Sequence, residues 1–113
     1  MNIIDEKINT ALTRSLALDD VGLTTPEAAR AFCDEFARRV ASRYLADELS
    51  WPDGDQVMNN IFPLMTMECG SVLPEFAWDV YLAFDAGEIA PGGDAVTRPL
   101  LVKALADSST GPR

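Results

Sequence analysis

The chain has 113 residues, with eighteen acids against nine bases and a formal net charge of −9. Its length suits one domain built on a single core, and 48% apolar residues beside 24% charged is a composition that folds. A field of this sign counts against direct binding of nucleic acid or an anionic membrane, and it favours encounter with a basic protein.

The opening MNIIDEKIN sets Asp5, Glu6 and Lys7 where a secretory leader needs an apolar run. No apolar run approaches the roughly 20 residues of a membrane span. The expectation is a cytoplasmic chain with no membrane association. Ile4, Ile8, Ala11, Leu12 and Leu16 recur at helical spacing, which predicts a first helix over residues 3 to 18. Asp19-Asp20-Val21-Gly22 breaks that pattern. Thr24-Thr25-Pro26-Glu27 then combines a threonine cap, a first-turn proline and an acid at the positive end of the helix dipole. Phe32, Phe36, Val40 and Tyr44 carry this second helix to about Glu48, with Cys33 among its apolar positions as a small hydrophobe.

Ser50 to Asp55 reads as a turn in which Asp53 or Asp55 caps the helix that follows. Val57, Met58, Ile61, Leu64 and Met65 continue that helix to Gly70, and Pro63 inside it predicts a kink or a split into two pieces. Leu73-Pro74-Glu75 repeats the proline-then-acid start. Phe76, Ala77, Val80, Tyr81 and Phe84 follow, with Gly87 as a left-handed C-cap. A loop over residues 88 to 96 leads to a last helix capped by Thr97 and containing Leu100, Leu101, Ala104 and Leu105. The fold class is therefore all-α, four to six helices in a bundle or irregular array. The domain spans residues 1 to 107, and residues 108 to 113 form a flexible tail.

Little in the sequence points to catalysis. There is no histidine, which removes the commonest general base and zinc ligand. Cys33 and Cys69 are too few for a zinc site, and no phosphate-binding glycine pattern occurs. DGDQVMN at residues 53 to 59 resembles the start of a calcium loop, but Met58 and Leu64 stand where that loop needs glycine and an acid. Glu68, Glu75 and Asp79 have the spacing for a divalent ion, though exposed helix carboxylates are the commoner meaning. The reading is a non-enzymatic chain with no catalytic residue, metal or cofactor. Met58, Met65 and Met67 with Phe62 are a ligand groove or, more commonly, core.

Charge placement is the strongest pattern. Residues 44 to 97, 54 in a row, hold Asp47, Glu48, Asp53, Asp55, Glu68, Glu75, Asp79, Asp85, Glu88 and Asp94 without one base. Either this is a solvated face or it steers onto a basic partner. Asp79, Asp85, Glu88 and Asp94 are the first candidates for partner binding, with Asp53 and Asp55 as a second cluster. Arg38, Arg39 and Arg43 form a smaller basic patch that either pairs with acids of the first helix or serves as a smaller second site.

The helix around Phe32 and Phe36, the segment Val80-Tyr81-Leu82-Ala83-Phe84-Asp85, the polar loop after it and the closing helix at Leu100-Leu101 together resemble the helical colicin D and pyocin-type immunity family. The resemblance implies an inhibitor that occupies the RNA-binding cleft of a cationic nuclease toxin, its acids standing in for RNA phosphates. The alternative is a structural or regulatory subunit that acts as a helical homodimer.

Overall fold

The computed structural model describes residues 3–89 and 92–110, and among them all regular secondary structure is helical, with no strand. Six helices follow in chain order: α1 (Ile3–Ala11), α2 (Leu18–Val21), α3 (Pro26–Leu45), α4 (Trp51–Met67), α5 (Glu75–Ile89) and α6 (Gly93–Thr110). The Cα radius of gyration is 13.2 Å, close to the ~13 Å expected of a compact chain this long.

Helix α3 is the axis of the core. Its Cys33, Phe36, Ala37, Val40, Ala41 and Tyr44 are buried, and they meet Val57, Ile61 and Met65 of α4 and Val80 and Phe84 of α5 in one cluster. The start predicted at Thr25 is present: its hydroxyl accepts from the Ala28 amide at 3.1 Å, with Pro26 in the first turn. The end comes at Leu45 and not at Glu48. Asp47 takes the left-handed conformation at φ 62°, its amide bonds the Tyr44 carbonyl, and the Glu48 amide bonds the Arg43 carbonyl. These two bonds close the helix as a Schellman motif, with an aspartate in the place glycine usually takes.

Helix α1 stops at Ala11, seven residues before the predicted end. The side-chain amide of Asn60 takes the Ala11 carbonyl at 2.7 Å, and the Asn60 carbonyl accepts the Leu16 amide at 3.0 Å. The chain after Ala11 is thus held to α4 in the turn that Pro63 weakens. Pro63 itself does not split α4, which runs unbroken from Trp51 to Met67. The start of α4 also corrects the sequence reading: Ser50, not Asp53 or Asp55, accepts the free amide, that of Asp53 at 3.2 Å. Met58 and Met65 are fully buried, so the core reading of those methionines holds, whereas Met67 is 74% exposed.

Helix α5 packs against α3, α4 and α6. Its N-terminus is capped from a distance by Asp34 of α3, whose carboxylate accepts the Ala77 amide at 2.9 Å. Gly87 does not end the helix. It is buried within it, and a Cβ there would sit 2.6 Å from Thr97 Oγ1 and 3.0 Å from Trp51 Cζ2. Thr97 is likewise inside α6, which begins at Gly93. The Thr97 hydroxyl donates to the Ala83 carbonyl and accepts from Trp51 Nε1, each at 2.8 Å. The glycine and threonine expected to be caps form the close contact between α5, α6 and Trp51. Helix α6 continues to Thr110, through part of the stretch expected to be a tail; residues 111–113 of that tail lie outside the described residues.

Two of the three bases in the basic patch pair with the first helix, one of the two roles expected of it, while Arg38 donates to Ser108 and lies over the Phe76 ring. Arg39 and Arg43 both reach Asp5 of α1, at 2.9 Å and 3.7 Å. Among the described residues no helix is long and apolar enough to cross a membrane.

Candidate functional site

The six candidate acids separate into four environments. Asp55 of α4 and Asp85 and Glu88 of α5 come together on one side of the molecule. Helical geometry explains this: residues 85 and 88 share a face of α5, and α5 lies against α4. Asn59, one turn beyond Asp55, donates its side-chain amide to Asp55 at 3.4 Å and to Glu88 at 3.1 Å, bridging the two helices. Asp53 is exposed in the first turn of α4, two residues before Asp55 and therefore on a different face of the helix.

Asp94 has partners of its own. It accepts a hydrogen bond from the Tyr44 hydroxyl and lies 3.6 Å from Arg98. Arg98 also contacts Asp47 at 2.9 Å and donates to the last carbonyl of α3, that of Leu45, at 3.2 Å. Asp94 is thus part of the lock between α3 and α6. Asp79 faces α6, where it borders a cavity of about 250 Å³ with Leu82, Leu100, Lys103 and Asp107. Partial burial raises its pKa, and the nearby Glu75 and Asp107 push in the same direction.

The electrostatics of the first group differ from those of the paired acids. Asp5, Asp20, Asp47, Asp94 and Asp107 each have a base within 4 Å. Among the described residues, no lysine or arginine comes that close to Asp55, Asp85 or Glu88. Burial, then the Glu88 carboxylate, then the charge of Asp85, push the Asp55 carboxyl up to about 7. Glu88 moves down because Asp55 and Asn59 both hydrogen-bond it. Two carboxyls that hydrogen-bond each other in this way hold one proton between them near neutrality.

No family model, curated protein or solved structure matches this chain. Its site is therefore described by its own geometry.

Beside the acids lies an aromatic group drawn from α4 and α5. Tyr81 stacks on Trp78 with centroids 5.3 Å apart, and Phe62 of α4 approaches Tyr81 at 4.8 Å and Trp78 at 6.1 Å. The negative charges of Asp85, Glu88 and Asp55 help to raise the Tyr81 pKa, after burial, which places this ring at the edge of the acidic group. Trp78, Tyr81, Asp85 and Glu88 recur three and four residues apart, the signal from which their common face can be read. Asn59 carried no such signal, because its role depends on where α5 docks. Among the described residues no group of His, Cys, Asp and Glu side chains is arranged to hold a metal ion.

Proposed function

We propose that this chain is an acidic protein-binding module that docks a basic partner on the face formed by α4 and α5. The observation that carries the reading is the convergence of three acids without countercharge. Asp5, Asp20, Asp47, Asp94 and Asp107 each meet an arginine or lysine, while Asp55, Asp85 and Glu88 converge on one another without a base in reach. Like charges brought together cost stability unless something offsets them, and a cationic partner would do so while raising the association rate. The aromatic rings alongside supply the kind of rigid apolar area on which interfaces concentrate their binding energy.

Within this class, the reading we favour is an immunity protein that inhibits a cationic nuclease toxin. The support for it is the combination of small size, helical build, net charge of −9 and an unneutralised acidic face. In that role the carboxylates take the place of substrate phosphates. Affinity capture from the source cell tests it, using the native chain beside a chain with Asp55, Asp85 and Glu88 changed to lysine. The native chain should retain a basic protein that the altered chain loses. Equal retention by both would rule out this face.

A further inference from the structure

Helix α5 is apolar around most of its circumference. From Phe76 to Ala86 only Asp79 and Asp85 interrupt Phe, Ala, Trp, Val, Tyr and Leu. A helix of that composition is normally covered on every side. Here Phe76, Ala77, Val80, Ala83, Phe84 and Gly87 take the inner face. The outer face is left with Trp78, Leu82 and Ile89, at spacings of four and seven residues, so they form one stripe. Leu82 is 42% and Ile89 84% exposed. Along the α5 axis the stripe runs for about 16 Å, or three turns.

The borders of the stripe have one dominant sign. Asp85 lies within it, Glu88 flanks it on the α4 side and Asp79 on the α6 side. Lys103, the base that acts on Asp79, is bound to Asp107 at 2.8 Å. Apolar side chains at helical spacing within an acidic border fit an element with the inverse pattern. The described chain offers no sheet edge to which a strand could add, so the mode available is helix against helix.

We infer that the outer face of α5, along Trp78, Leu82 and Ile89, receives a basic amphipathic helix of the partner, with leucine-like side chains on the stripe and lysine or arginine against Asp79, Asp85 and Glu88. This rests on the acidic docking face proposed above and adds to it the form of the partner's recognition element. Charge brings the partner in, and the apolar stripe holds it and sets its direction.

The test uses a synthetic leucine–lysine peptide with helical periodicity and an oligolysine of equal charge, titrated into the labelled full chain with contacts mapped by NMR. The amphipathic peptide should become helical on binding, shift resonances along α5 and bind more tightly than oligolysine. Leu82→Ser with Ile89→Ser should weaken it about tenfold and leave oligolysine binding unchanged. Ile89→Ser alone, at the more exposed position, provides the same comparison if the double variant loses helicity. Equal binding of both peptides, indifferent to Leu82 and Ile89, would overturn the helical stripe and leave the acidic docking face standing. Binding of neither peptide at low salt, or shifts away from α5, would overturn both.

Discussion

Asp55 of α4 and Glu88 of α5 meet across the helix interface, and the Asn59 amide donates to both carboxyls. No arginine or lysine among the described residues shares the site. The pair is satisfied when it holds a proton and strained when it holds two charges.

Its pH dependence has a definite sign. Asp55 is raised from an ordinary value of 3.8 to about 7 on folding. Its contribution to stability is thus fully present below about pH 4 and lost as the pH rises through 7. Asp55→Asn keeps the hydrogen-bonding shape and removes the titration. At pH about 8 that variant should be more stable than the native chain, by on the order of 1 kcal/mol once solvent screening of a partly exposed site is allowed for. Thermal unfolding across this range checks it, and a native chain no less stable at the alkaline end would contradict it. Asp20 acts in the opposite sense: Arg14 and the Ala17 amide hold its pKa down, so its contribution is lost as the pH falls below the ordinary 3.8.

Two buried glycines should resist the smallest enlargement. A Cβ at Gly54 would lie 2.6 Å from the Phe84 ring, and one at Gly87 would lie 2.6 Å from Thr97 Oγ1 and 2.9 Å from the Gly93 carbonyl. Alanine ordinarily stabilises a helix relative to glycine by about 1 kcal/mol. Here overpacking of about 1–3 kcal/mol opposes that gain. At Gly87 the crowding involves backbone as well as side chains and should prevail. Gly87→Ala is expected to lower the Tm by several degrees, and an unchanged or higher Tm would show that Trp51 and Thr97 yield readily.

Removal of the distant cap on α5 gives a separate prediction. Asp34→Ala leaves the Ala77 amide without its acceptor and should cost about 1 kcal/mol. Denaturant unfolding would register the loss, with hydrogen exchange at Ala77 accelerating more than exchange in the middle of α3. Asp34→Asn, which still offers a carbonyl oxygen, should recover most of the stability.

Much of the fold was legible because its signals are local. The cap, proline and acid at Thr25, Pro26 and Glu27 mark the start of α3 whatever packs on it, and the Phe36, Val40 and Tyr44 spacing marks its buried face. The pairing of Arg39 and Arg43 with Asp5 also followed from an expectation that opposite charges on packed helices meet. Gly87 and Thr97 were misread for the same reason that local rules work. In isolation, glycine after an apolar stripe is a C-cap and threonine before one is an N-cap. The docking of Trp51 between α5 and α6 makes the first a space requirement and the second a buried hydrogen-bond relay.

The candidate site divides in a similar way. The excess of acid was countable, and Asp85 and Glu88 share a helix face by spacing alone. That Asp55 joins them, while Asp94 turns to Tyr44 and Arg98, follows from tertiary packing that periodicity does not encode.

The most direct test of the docking face is the association rate of the native chain with its captured basic partner as ionic strength is raised, measured beside the chain with Asp55, Asp85 and Glu88 changed to lysine. The native rate should fall about tenfold or more between low and physiological salt, and the altered chain should associate slowly at every salt concentration while remaining fully helical. A native rate indifferent to salt, matched by the lysine variant, would contradict the assignment of α4 and α5 as the face that meets a basic protein.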